Sequence, residues 1–174
     1  MAMHKKIIIE DRDLELLRFL WDFKVATTAA LSTKFFGCPN RAAGYRRLLK
    51  LSKYGFIQSI CDKRAADFVW CLDRRGFQLV RESLPPLKEE GYMSEHVSHD
   101  LLSSAFQLGN CFVEKPAWLT FVTEQELRRV DFEFYPELIP RTDLHRPDGY
   151  WLVDSGREKM LVAFEVELND QRLT

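Results

Sequence analysis

The stretch Asn40-Arg41-Ala42-Ala43-Gly44-Tyr45-Arg46-Arg47-Leu48-Leu49-Lys50-Leu51-Ser52-Lys53-Tyr54-Gly55 decides the reading of this chain. At 100° per residue, Tyr45, Leu48, Leu49 and Ser52 share one side of a helix, while Ala43, Arg47, Lys50 and Tyr54 share the other, flanked by Arg46 and Lys53. The pattern predicts a helix capped by Asn40 and ending near Gly55, with one core face and one cationic face. Ala42, Ala43 and Gly44 carry almost no side chain. A helix with so slim a start could lie deep in a DNA major groove, with Asn40, Arg41 and Arg47 at base edges or phosphates.

Working outward, no acidic residue occurs at the 39 positions between Asp22 and Asp62, whereas Lys24, Lys34, Arg41, Arg46, Arg47, Lys50 and Lys53 all fall there. Residues 1–84 hold 16 Lys and Arg against 9 Asp and Glu; the remainder holds 9 against 17. The overall net charge of −1 therefore hides a basic half and an acidic half, and a basic half facing a polyanion gains from counterion release. A solvated charged face is the plain alternative, but such faces normally mix both signs.

Before the central helix, Leu14, Leu16, Leu17, Leu20 and Trp21 form a helical stripe after the acidic turn Glu10-Asp11-Arg12-Asp13. Val25-Ala26-Thr27-Thr28 breaks the pattern; Thr28 offers an N-cap, Leu31 and Phe35 sit one turn apart, and Gly37 supplies a stop. After the central helix, two β-prone segments, Phe56 to Cys61 and Phe68 to Leu72, flank a polar tip containing Lys63 and Arg64. Arg74-Arg75-Gly76-Phe77 opens a fourth helix running to about Leu84. This order predicts a winged helix-turn-helix over residues 1–84 that binds double-stranded DNA, using Asn40, Arg41, Arg46, Arg47, Lys50, Lys53, Lys63 and Arg64. A winged domain that binds another protein is the competing use.

Residues 85–91, with Pro85-Pro86 and Gly91, read as a linker. Residues 92–174 read as a small acidic α/β domain: a helix capped by Ser98 and running to about Gly109, then strands over 118–122, 150–153 and 160–168. Here the most specific chemistry is Pro147-Asp148, followed after 16 residues by Glu165-Val166-Glu167. Asp148 opening one strand and Glu165 in its neighbour would place two hard oxygen ligands together, a candidate Mg²⁺ or Mn²⁺ site able to activate water on a phosphodiester. This resembles the arrangement of the PD-(D/E)xK nuclease superfamily, which implies a further carboxylate that Glu124 or Glu126 could supply. Glu167 stands where the motif needs Lys, and Lys159 is a distant substitute, so Asp148, Glu165 and Glu167 are catalytic candidates that argue for binding over cleavage. A hairpin with solvent-facing carboxylates is the competing reading. A nuclease core would continue beyond Thr174, so this half reads as partial. His99-Asp100 reads as a capping pair at a helix start, where Asp meets the helix dipole, with a ligand or acid-base pair as the competing reading.

At 46% hydrophobic residues, the chain can bury a core, and its apolar runs are shorter than a bilayer span of roughly 20 residues. No signal-peptide pattern opens it, and Cys38, Cys61, Cys71 and Cys111 lack metal or redox spacing. A cytoplasmic protein with reduced thiols is expected. No phosphate loop, nucleophile elbow or zincin motif occurs.

Asp11-Arg12-Asp13-Leu14-Glu15-Leu16-Leu17, Arg46-Arg47-Leu48, Trp70-Cys71-Leu72-Asp73-Arg74-Arg75-Gly76, His99-Asp100-Leu101, Glu124-Gln125-Glu126-Leu127-Arg128-Arg129, Arg146-Pro147-Asp148-Gly149 and Phe164-Glu165-Val166-Glu167-Leu168, in that order, resemble the replication-relaxation family. The resemblance implies an α+β protein of a bacterial plasmid or mobile element, with an N-terminal winged helix and a C-terminal nuclease-like region. It further implies a role in replication control or transcriptional regulation, and an acidic cluster of Asp148, Glu165 and Glu167. The expectation is a sequence-specific DNA binder needing no cofactor for binding, with a metal-dependent nuclease or nickase as the alternative. Expected partners are duplex DNA, a second copy as homodimer, and other replication or mobilisation proteins, with no membrane.

Overall fold

The computed structural model describes residues 7–37, 41–60, 67–88, 91–141 and 145–168. It is a mixed helix and sheet protein with two three-stranded antiparallel sheets. The N-terminal half runs α1 (Asp11–Asp22), β1 (Val25–Thr27), α2 (Thr28–Phe36), α3 (Arg41–Lys53), β2 (Ile57–Ile60), β3 (Val69–Leu72) and α4 (Arg74–Val80), the last followed by a 3₁₀ turn. The C-terminal half runs α5 (Val97–Leu108), β4 (Leu119–Thr123), α6 (Glu124–Arg129), β5 (Gly149–Asp154) and β6 (Lys159–Phe164), with short 3₁₀ turns between.

α1 begins where its sequence says. The Glu10 amide donates to Asp13 Oδ2 at 2.8 Å, closing a capping box. The stripe Leu16, Leu17, Leu20 and Trp21 is buried against β3 and α4. The next residues, expected only as a break, form β1, an edge strand too short for a period-2 signal. It pairs with β3 in the register Val25↔Cys71, Ala26↔Trp70, Thr27↔Val69, giving the sheet order β1-β3-β2. The N-cap of α2 is Thr27 rather than Thr28: Thr27 Oγ1 accepts from the Ala30 amide at 3.1 Å. Thr28 instead accepts from the buried Trp70 indole at 2.9 Å. Asp67, just before β3, accepts from the Ala29 amide at 2.8 Å and so satisfies another free donor of the α2 N-terminus.

α2 and α3 cross closely at Gly44. A Cβ there would lie 2.9 Å from Ser32 Cβ and collide with the Ser32 side chain. Leu48 and Leu51, both fully buried, then seat α3 on the core with Leu31, Ile57 and Trp70.

In the C-terminal half β4, β5 and β6 lie in that order, with Phe121↔Trp151 and Trp151↔Val162 in register. α5 rests on this sheet through Gln107, whose amide donates to Val122 O at 3.0 Å and Tyr150 O at 3.2 Å. Phe106, Trp151 and Phe164 cluster beside it with ring centroids 4.8 to 5.4 Å apart. α5 starts at Val97, with His96 rather than Ser98 at its cap position. α6 lacks an expectation from sequence because six residues give little periodicity; Thr123 and Glu126 fix it by a capping box.

The residues read as a linker pair with the C-terminal half, and Leu87 packs against the main buried cluster. Leu87 forms a bridge with Val130, Lys88 N donates to Arg129 O at 2.6 Å, and Asp131 N donates to Pro86 O at 2.8 Å. Leu108 and Val130 belong to the same buried cluster as Leu16, Trp21 and Trp70. No helix among the described residues is long and apolar enough to cross a membrane.

Candidate nucleic-acid interface

α3 presents Ala42, Ala43, Arg46, Leu49, Lys50 and Lys53 to solvent. Arg46, Lys50 and Lys53 recur at i, i+4 and i+7, one continuous cationic stripe. Leu49, expected in the core, is 46% exposed in the middle of that stripe. The inward face is Gly44, Leu48 and Leu51 with Arg47, a rotation of the predicted face by about one residue. The reason lies in Gly44 and Arg47: the first must meet Ser32, and the second has an anionic partner inside.

Arg47 therefore departs from its expected place at base edges. Its guanidinium forms an ion pair with Asp13, whose side chain is fully buried; Nε lies 3.0 Å from Asp13 Oδ1, and an Nη hydrogen donates to Ile8 O at 2.7 Å. That hydrogen bonding to Asp13 holds the guanidinium charged more firmly than usual, against the opposing effect of burial. Asp13 thus ties the start of α1 to the middle of α3.

Two more cations of the acid-free stretch also turn inward. Lys24 is only 6% exposed, and its ammonium lies 2.6 Å from Glu124 Oε2 and 3.4 Å from Asp100 Oδ1. Lys24 is also the one non-glycine residue with positive φ, 61°, among the described residues. Lys34 donates to Phe112 O at 2.5 Å and stands near the Phe19, Phe35 and Phe112 rings; burial lowers its pKa. Arg46, Lys50 and Lys53 remain on the surface. The Arg41 side chain, Asn40, Lys63 and Arg64 lie outside the described residues.

The acidic hairpin is arranged differently from a shared metal site. Asp148 sits beside β6, its amide donating to Phe164 O at 3.1 Å, but Oδ2 accepts the Val166 amide at 2.6 Å and Oδ1 lies 3.3 Å from His99 Nε2. Glu165 points to solvent, 3.2 Å from His145 Nε2, and Glu167 is exposed. Glu124 is held by Lys24 and by Arg128 at 3.3 Å, and although burial pushes its carboxyl up, those cations keep it below its ordinary range. Glu126 is occupied in the Thr123 capping box, and burial raises its pKa. Among the described residues no group of three or more His, Cys, Asp or Glu is placed to hold a metal. His99-Asp100, expected at a helix start, bridges further: Asp100 accepts from Ser94 at 2.5 Å and lies by Lys24, while His99 spans Asp100 and Asp148.

Lys24 was missed as a key residue because charge pattern cannot distinguish a cation facing water from one facing buried carboxylates 76 and 100 residues away. Asp22 was likewise unremarkable in sequence. At the end of α1, burial and the nearby Glu126 carboxylate raise its pKa well above the usual carboxylate range, and the negative helix end acts in the same direction. Cys71 is buried without a disulfide, and desolvation pushes its thiol up to about 11. Cys111 is also a free thiol. No family model matches the chain, and neither a curated protein nor a solved structure does.

Proposed function

We propose that this chain is a sequence-specific double-stranded DNA-binding protein whose N-terminal half acts as a winged helix-turn-helix. The observation that carries the reading is the solvent face of α3, where Arg46, Lys50 and Lys53 line up behind the small residues Ala42 and Ala43 with no acid among them. The slim end allows close approach to a groove, the cations meet phosphates, and exposed Leu49 offers an apolar contact of the kind that reads a thymine methyl. α2 packs against α3 at Gly44 and Ser32 as the first helix of such a motif would, and the β2–β3 connection carrying Lys63 and Arg64 would follow the backbone as a wing. The sequence resemblance to replication-relaxation proteins supports a role in replication control or transcriptional regulation of a bacterial plasmid or mobile element, and a cytoplasmic location belongs to the same proposal.

Binding is favoured over nuclease action because Asp148, Glu124 and Glu126 already have protein partners and Glu167 replaces the expected Lys. Titration of a labelled duplex library with the full chain at several salt concentrations tests the proposal. Engagement of about five phosphates predicts a slope of log K against log salt near roughly −4.5. Replacing Arg46, Lys50 and Lys53 together by Ala should flatten that slope by about 3 while the protein stays folded. Equal binding by wild type and triple variant would remove α3 as the interface.

A further inference from the structure

The two edges of the second sheet are finished differently. On β4, the Lys115 ammonium donates to the Leu119 carbonyl at 2.7 Å and places a charge on the open side, a common guard against strand addition. On β6 no described residue pairs with the outer side, and the sheet order ends there. The strand is Lys159-Met160-Leu161-Val162-Ala163-Phe164, uncharged from Met160 onward, with Met160 56% exposed.

Which backbone groups are open follows from the register. Ser155 N donates to Glu158 O at 3.0 Å; counting in twos along the antiparallel ladder, Met160, Val162 and Phe164 turn their N–H and C=O toward β5. Lys159, Leu161, Ala163 and Glu165 turn theirs outward. The flanks are of opposite sign: Arg157 and Lys159 precede the apolar run, and Glu165 and Glu167 follow it.

We propose that β6 is a homodimer edge whose occupant is β6 of a second copy of this chain, paired antiparallel about Val162. In that register Lys159 of each copy stands across from Glu165 of the other, and Arg157 across from Glu167, so two-fold symmetry makes four complementary pairs. Shifting the centre by one residue loses both of these pairings and leaves one other in their place, Arg157 with Glu165 about Leu161 or Lys159 with Glu167 about Ala163. Leu161 and Ala163 of the two copies exchange the outward hydrogen bonds, and Met160 of one meets Phe164 of the other beside Trp151 and Phe106, the latter 56% exposed. The existing contacts of Lys159 with Asp154 at 3.9 Å and of Glu165 with His145 at 3.2 Å involve half-exposed or more exposed groups and are readily exchanged. The product is one continuous six-stranded sheet with a symmetric, closed interface.

The test is sedimentation equilibrium of the full chain without DNA, so its outcome is independent of the DNA-binding reading. The wild type should dimerise with rising concentration. Lys159→Glu and Glu165→Lys should each weaken the dimer on the order of tenfold, since each turns two attractive pairs repulsive. The double variant K159E/E165K should restore it. Ala163→Pro removes an outward N–H and leaves the β5 ladder intact, so it should yield a folded monomer with unchanged near-ultraviolet circular dichroism. A wild type that stays monomeric, a double variant no better than the singles, or an Ala163→Pro protein that still dimerises would each overturn the proposal.

Discussion

Lys24 combines two unusual conditions, a left-handed backbone and an ammonium buried between carboxylates. Lys24→Met would leave Asp100 and Glu124 with less compensation in a dry setting, and stability in urea should fall by about 3 kcal/mol. Lys24→Gly removes the same charge but relieves the backbone, and should lose about 1 kcal/mol less than Lys24→Met. Asp22 behaves in the opposite sense. Its folded pKa lies above its unfolded value, so the native state binds the extra proton and stability declines as pH rises through that interval. Asp22→Asn should therefore raise the melting temperature at neutral pH, with the gain vanishing below the unfolded carboxylate range; an equal gain at all pH values would refute a titration origin. Glu124, with its lowered pKa, stabilises above the unfolded value and loses that contribution on acidification.

Among the elements, α3 separates reading from holding. Arg47→Ala should act on stability, by about 3 kcal/mol, because it strands the fully buried Asp13 carboxylate. Lys50→Ala and Lys53→Ala should leave urea unfolding nearly unchanged and weaken every duplex alike. Gly44→Ala should cost about 1 to 3 kcal/mol by forcing α2 from α3, and Ser32→Gly in the same chain should recover most of it. Helix stripes, the β2–β3 pairing and the α5 run were legible because ten or more residues repeat a period, or because two apolar segments flank a polar stretch of sequence. β1 and α6 were not, since three and six residues carry too little pattern and are fixed by tertiary partners. The side of α3 facing the core was misjudged for a related reason: Leu49 looks apolar and Arg47 looks solvated until Gly44 and Asp13 set the rotation. In the acidic half, the spacing of Asp148 and Glu165 did bring their backbones together, but Val166 and His99 take the Asp148 carboxylate.

For the whole molecule, the bridge between Leu87 and Val130 has a thermal consequence. It sits inside a stretch whose prolines and glycine suggest a hinge, yet the core that begins at Leu16 continues through Leu108 and Val130. Heat should therefore find no weak joint at which one half melts while the other survives. Scanning calorimetry should give a single endotherm in which the van't Hoff and calorimetric enthalpies agree, and two resolved peaks would contradict this. In such a molecule a destabilised α5 is felt by α3: a lesion far from the cationic stripe, such as Leu108→Ala, should lower DNA affinity near the melting temperature simply by depleting the folded population, and have no effect on it in the cold.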